Sequence, residues 1–406
     1  MTPKLRHLQA CHEIRQLGTI SAAARRVNLS QPALTEALGN IEQYFGAALF
    51  ERGRTGTSLT AAGEICAPRI ERTLVQIREA LCEFLRRSAV PTHNSEKTVL
   101  RMTSAQLAAL VALAEHESFA RAARAKGLTQ PALHRAASTL QKMLAVPLFE
   151  KTSFGVRPTR DAKAFARRVR LAFGEIEQAR ADITSLQGGP GGKTVIGAMP
   201  LARSFIVPSA VIAFARNHPA HSVAILDGTY ENLLAALESG DADVLIGALS
   251  DSRVTAQVRQ EHLFDDVLSI AMRAAHPLAG RKRLGSEDLR KYPWIAPRAS
   301  SPLRAHFRHL FTSAGLPEPA QSVQCNSLTA ARAFLLESDC LMLASTQQIY
   351  YELRAGLLAA VPHPQGNVVR SIGLTVRRHW QPTRAQAELL DLLRHRARAT
   401  ACEHRD

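Results

Sequence analysis

The chain has 406 residues, 46% of them hydrophobic and 21% charged, with a formal net charge of +16. That profile suits several globular domains, and no apolar run approaches the ~20 residues needed to cross a bilayer. Residues 1–10 also lack the apolar core and cleavage site of an export signal, so a membrane or secreted protein is not expected and a cytoplasmic one is.

The charge is uneven. Residues 1–187 hold 27 Lys and Arg against 16 Asp and Glu, leaving 24 against 19 for the remainder, so the N-terminal half is the half suited to a polyanion. Cys11, Cys66, Cys82, Cys325, Cys340 and Cys402 form no Cys-x-x-Cys pair and have no His at zinc-finger spacing, which points to small apolar packing residues rather than a metal site or disulfide framework.

An internal repeat sets the organisation. Shifted by 99 positions, residues 23–60 align with 122–159 at 14 identities in 38, including Ala23/Ala122, Ala24/Ala123, Arg25/Arg124, Gln31 to Leu34 with Gln130 to Leu133, and Leu49 to Glu51 with Leu148 to Glu150. Two copies of one domain are therefore expected. In the first, an Ala-rich helix over 21–27 starts behind Ser21 as its cap and breaks at Asn28 and Leu29. Ser30 caps the next helix, with Pro32 in its first turn, which makes a helix-turn-helix. Leu34, Leu38, Ile41 and Phe45 recur at helical spacing and face a core, leaving Gln31, Thr35, Glu36 and Gly39 outside as the reading face. The second copy repeats the pattern with Gly127 at the turn, Thr129 as cap, Leu133, Ala137, Leu140 and Leu144 inside, and His134, Arg135 and Ser138 outside.

Gly-containing hairpins over 52–60 and 151–159 are short enough to be wings, with Arg52, Arg54, Lys151 and Arg157 suited to phosphates. A long helix follows each wing. Over 64–87, Ile70, Leu74, Ile77, Leu81 and Phe84 alternate four and three apart, the seam of a helix pair, which predicts either dimerisation or packing on the counterpart helix over 162–187. A linker is expected near 88–95, and the Gly-rich run 188–192 is another. Beyond it, β-branched runs at 194–198, 223–226, 244–247, 268–271, 341–344 and 372–376 alternate with helical stretches, an α/β order.

The string SQPALTEALGNIE from Ser30, GAALFER from Gly46 and LTAAGE from Leu59 closely resembles the DNA-binding domain of LysR-type transcriptional regulators. Val195-Ile196-Gly197, Phe214 with His218-Pro219, and Gly240-Asp241-Ala242-Asp243 resemble the effector domain of that family. The resemblance covers nearly the whole chain; the second winged unit is the departure. It implies a multidomain fold: two all-α winged helix-turn-helix domains plus an α/β periplasmic-binding-protein-like effector domain of two subdomains. The expected order is a winged domain over 1–63, a linker helix over 64–95, a second winged domain over 96–161, a linker helix and Gly-rich hinge over 162–192, and an effector domain over 193–398. Its subdomains would be 193–266 with 369–398, and 267–368.

The resemblance also implies a dimer or tetramer, assembled through linker helices and effector domains on promoter DNA, that shifts its contacts when a small coinducer is bound. RNA polymerase is a further candidate partner. The expected DNA-binding residues are Ser30, Gln31, Pro32, Thr35, Glu36, Arg52 and Arg54 in the first copy, and Thr129, Gln130, Pro131, His134, Arg135 and Lys151 in the second. Gln can pair with adenine and Arg with guanine in the major groove, whereas Glu36 can accept only from a cytosine amino group.

Helix N-termini facing a cleft can bind a carboxylate through backbone N–H groups. The loop Met199, Pro200, Leu201 and Ala202, the helix start at Arg298, Ser300 and Ser301, and that at Asn326 and Ser327 occupy such places, and in the family these regions line the effector pocket. The serines are equally readable as plain helix caps.

His276, His306, His309, His363 and His395 lack ligand spacing and are expected in solvated or interface positions; Trp294 and Trp380 are expected to pack. No phosphate-binding Gly loop, Gly-x-Ser-x-Gly elbow or metal motif supports an enzyme or a cofactor. Two alternatives stay open: a winged unit used only for protein contacts, and a sensor domain that is structural.

Overall fold

In the computed structural model the duplicated segment folds twice along the same plan. It describes residues 3–53, 56–90, 95–152, 155–189, 191–249, 255–299, 301, 303–320, 322–325, 327–366 and 368–402, in two units, Met1–Gly192 and Lys193–Asp406. In the first unit α1 (Leu5–Leu17), α2 (Ile20–Arg26) and α3 (Gln31–Phe45) lead to a hairpin of β1 (Phe50–Gly53) and β2 (Gly56–Leu59), then to α4 (Ala61–Arg87). After a short α5 (Ser95–Arg101) the order recurs: α6 (Ser104–His116), α7 (Phe119–Lys126), α8 (Gln130–Leu144), β3 (Phe149–Thr152), β4 (Gly155–Pro158) and α9 (Arg160–Leu186).

Capping residues fix these boundaries. Ser30 and Thr129 accept from the amides of Ala33 and Ala132 at the starts of α3 and α8. The cap of α2 is Thr19, which accepts from Ala22; Ser21, expected in that role, lies inside the first turn, and Ser118 caps α7 at the position matching Thr19. Asn28 and Gly127 hold the same turn in the left-handed region, at φ 52° and 63°, where Asn and Gly are the least strained residues. Thr60 and Thr159, read from sequence as wing residues, cap α4 and α9, so both long helices begin earlier than the periodicity predicts.

The apolar faces of α3 and α8 are inside: Leu34, Leu38, Ile41 and Phe45 in one, Leu133, Ala137, Leu140 and Leu144 in the other. The seam of α4 packs on α9, antiparallel and within the chain. Phe84 stacks on Phe165 with centroids 5.2 Å apart, and the Thr73 hydroxyl donates to the Ala172 carbonyl at 3.0 Å. Arg69, almost fully buried, donates to Gln178 at 2.6 Å, Glu175 at 3.1 Å and Asp182 at 3.2 Å. Of the two pairings the seam left open, the one seen is packing on the counterpart helix, each helix spending its apolar face on the other. Pro68 inside α4 removes one helical hydrogen bond, a cost of ~3 kcal/mol that a packed face of this length offsets.

The second unit is α/β. Its sheet is formed by β5 (Lys193–Ala198), β6 (Ser222–Leu226), β7 (Val244–Ala248), β8 (Val258–Arg273), β9 (Trp294–Ala296), β10 (Ser322–Gln324), β11 (Leu341–Ser345), β12 (Leu358–Pro362) and β13 (Val369–Arg377). The strands run in the order β10-β9-β11-β8-β13-β7-β5-β6, with β12 also on β8. The helices are α10 (Pro200–Ser204), α11 (Ile206–Asn217), α12 (Tyr230–Ser239), α13 (Ser286–Arg290), α14 (Leu303–Thr312), α15 (Leu328–Glu337), α16 (Tyr350–Arg354) and α17 (Arg384–Cys402).

Each half of the sheet repeats one scheme. β6-β5-β7 are parallel and continue through antiparallel β13, and β10-β9-β11 are parallel and continue through antiparallel β8. Sixteen-residue β8 belongs to both halves, pairing with β13 over its first part and with β11 and β12 over its second. Each half has its own core, with Phe214, Ile246, Leu374 and Leu393 in one and Trp294, Phe307, Phe311 and Leu343 in the other.

Candidate DNA interface and effector site

On the first head Gln31, Pro32, Thr35 and Glu36 are exposed along one face of α3, and on the second Gln130, Pro131, His134 and Arg135 stand at the matching positions of α8. The two faces are built differently. The Thr35 hydroxyl donates back to the Gln31 carbonyl at 3.0 Å, leaving its oxygen able to accept. His134 lies against Phe119 with ring centroids 5.1 Å apart and 3.5 Å from the Ser138 hydroxyl, which limits its rotation. His7, on α1, faces the field of Glu36; burial and the nearby Lys4 and Arg6 nevertheless lower its pKa.

Each wing is tied to its recognition helix by one side chain. Glu42 accepts from the amides of Leu49 at 2.8 Å and Phe50 at 3.4 Å, and Gln141 accepts from those of Leu148 at 2.9 Å and Phe149 at 3.3 Å. Arg52 and Lys151 lie on β1 and β3, but their side chains, like Arg54 as a whole, are outside the described residues. Ser30 and Thr129 spend their side chains on capping. Two further exposed cations, outside the set read from sequence, are Arg25 on α2 and Arg124 on α7, a matched pair on the helix that precedes the recognition helix. The signal was present, since they are identical in the repeat.

In the second unit Met199, Arg298 and Ser327 each lie just beyond the carboxyl end of a parallel strand, where open α/β sheets bind ligands. Met199 follows β5, Arg298 follows β9, and Ser327 follows β10. The segment after β5 is not a loop: Pro200 opens the short helix α10, and Leu201 and Ala202 are buried in the core, leaving only their backbone for a ligand. Met199 crosses directly over Gly247, where a Cβ would fall 2.3 Å from the methionine sulfur; only glycine permits that approach. Ser301 accepts from the Leu303 amide at 3.3 Å and Ser327 caps α15, so both serve as helix caps. Ser300 and Asn326 lie outside the described residues.

A buried cluster that composition gave no sign of sits where β8 passes from its pairing with β13 to its pairing with β11. Asp266 accepts from the Ser345 hydroxyl and from Arg370, each at 2.5 Å. His363 is buried within the chain rather than in the solvated or interface position expected, and burial drops its pKa to about 4, which keeps the ring neutral at physiological pH. His276 is likewise buried, its pKa lowered by burial. Trp294 packs, with its indole N–H donating to the Leu289 carbonyl at 2.9 Å, and Trp380 is also buried.

Family models match on both sides of this arrangement. The model described as a bacterial regulatory helix-turn-helix protein of the lysR family matches residues 5–64 and again 104–163, and the LysR substrate binding domain matches 187–398. The chain belongs to the LysR family of DNA-binding transcriptional regulators.

Among the relatives of this LysR regulator, the HTH-type transcriptional regulator GalR of Pseudomonas putida is 31% identical over 375 residues, 92% of each chain. An alignment of that length cannot omit either head. PcaQ of Agrobacterium fabrum is 27% identical over 297 residues, covering 96% of its own length but 73% of this chain. A full-length OxyR variant from Pseudomonas aeruginosa shares the fold at a TM-score of 0.54 and 21% identity, over 72% of this chain and 94% of that one. Among the described residues, no helix of this regulator is long and apolar enough to cross a membrane.

Proposed function

We propose that this regulator binds promoter DNA in the cytoplasm through both heads, under the control of a small organic-acid, aromatic-acid or sugar-derived molecule held at the carboxyl ends of β5, β9 and β10. The observation that carries the proposal is the matched exposure of Gln31, Thr35 and Glu36 on α3 and of Gln130, His134 and Arg135 on α8, each at the start of a capped helix. A helix presented in this way enters the major groove N-terminus first. Arg25 and Arg124, one helix earlier, suit the flanking phosphates.

The test is footprinting of the full chain on the DNA flanking its own coding region. Gln31→Ala with Thr35→Ala should erase one protected segment, and Gln130→Ala with Arg135→Ala another. Retention of the full footprint by either variant would remove that head from the interface. For the sensor, titration with aromatic and sugar acids should raise the melting temperature and alter the footprint; a full panel without effect would make the second unit structural.

A further inference from the structure

We infer that one chain reads an inverted pair of unlike half-sites, which differ at the base pair faced by Glu36 in the first head and by Arg135 in the second. The inference rests on the regulator reading above and deepens it.

The symmetry comes from which residues touch. Residues 99 apart in sequence correspond in the repeat, and two such corresponding pairs are in direct contact: Thr73 with the Ala172 carbonyl at 3.0 Å, and the Leu5 amide with the Ser104 hydroxyl at 3.0 Å. Corresponding residues meet only on a two-fold axis; a translational repeat would keep them apart. Away from the axis one pair of contacts recurs symmetrically. Arg69 reaches Gln178 and Asp182, and its counterpart Arg168 reaches Glu79 and Glu83, which are the counterparts of those two. The heads, with α3 and α8, are therefore related by a half-turn, and half-sites read by such a pair run in opposite directions.

The pairing is written for two different helices. Phe84 meets Phe165 and Arg72 reaches Glu175 at 2.9 Å. A second α4 in place of α9 would set Phe84 against Cys66 and Arg72 against Gln76, and α9 on itself would set Leu171 against Glu175. Joined in one chain, the unlike partners also have the advantage of high effective concentration.

At the reading face the half-turn brings unlike chemistry to equivalent steps. Arg135 is exposed and donor-only, matched to guanine N7 and O6; Glu36 is exposed and acceptor-only, matched to the cytosine amino group. Thr35 and His134 differ in the same way in reach and in donors. The operator is thus an inverted repeat in which, each half read in its own 5′→3′ direction, one half has cytosine and the other guanine at that step.

Selection of the full-length protein on a library of randomised duplexes tests this. Wild type should enrich two inverted half-sites that differ at one step or its neighbour, and making either half match the other should weaken binding about tenfold. Thr35→His with Glu36→Arg should shift enrichment to a palindrome of the second half-site, and His134→Thr with Arg135→Glu to a palindrome of the first. Either variant suffices if the other fails to fold. A perfect palindrome or a direct repeat selected by wild type overturns the inference and leaves the regulator reading intact; no enriched sequence at all overturns both.

Discussion

The first and second heads keep the same hydrogen bonds with different side chains. The wing strand of one is held by a carboxylate, Glu42, and that of the other by an amide, Gln141, over nearly equal distances. The turn before the recognition helix is Asn28 in one and Gly127 in the other. Where the long helix passes the wing, the first head has Gly63 and the second Ala162, both buried. What the scaffold demands is therefore an acceptor at one place, a left-handed residue at another and little bulk at a third. The outward face is under no such demand, and there Glu36 and Arg135 differ in sign.

Three pairs of substitutions would sharpen or break this comparison. The largest effect is expected at Gly63, where a Cβ would sit 2.1 Å from the Leu49 carbonyl oxygen. Gly63→Ala should cost more than about 3 kcal/mol, as overpacking against backbone does, whereas Ala162→Gly should cost only about 1 kcal/mol in helix propensity and lost burial. Chemical denaturation of the full chain would read both, and equal losses would mean the two junctions are alike. The linker pair comes next. Arg69→Ala removes the centre of a buried ion cluster and should cost about 3 kcal/mol, while Arg168→Ala, on the same helical position but one-third exposed, should cost under about 1 kcal/mol; equal losses would show that the two positions carry equal loads. The smallest effect is expected from exchanging the wing ties. Glu42→Gln and Gln141→Glu should each change stability by less than about 1 kcal/mol, and a larger loss at Glu42 would mean its charge, not its acceptor, holds the wing.

The heads were legible because their signals are local: caps, a proline in a first turn, and apolar spacing, all stated twice. The pairing of α4 with α9 was only half legible, since a heptad seam announces a partner without saying which chain supplies it. In the second unit the six short β-branched runs lie in strands, yet β8 begins ten residues before its run at Leu268. Its first part pairs only with β13 and carries exposed Arg259, Glu261, His262 and Asp265, the polar dress of an edge strand, which hides it from a search for apolar alternation. β9 and β10 have three residues each, and β12 ends in Pro362, too short or too interrupted to register. The effector residues were placed by analogy, and the structure sorts them by burial: Leu201 and Ala202 serve the core, while Met199, Arg298 and Ser301 keep surface. The cluster of Asp266, Ser345 and Arg370 joins three distant segments, a juxtaposition that no single stretch of chain records.

The in-chain pairing of α4 with α9 has a genetic consequence. In a homodimer each codon specifies two identical side chains, so a change in the recognition helix strikes both halves of the operator at once and is tolerated only if both bases change together. Here each codon is expressed once per pair of heads. On the proposed reading of one operator by both heads, a substitution on α3 can be compensated by one base change on one side of the site, which makes the route to a new operator a series of single steps.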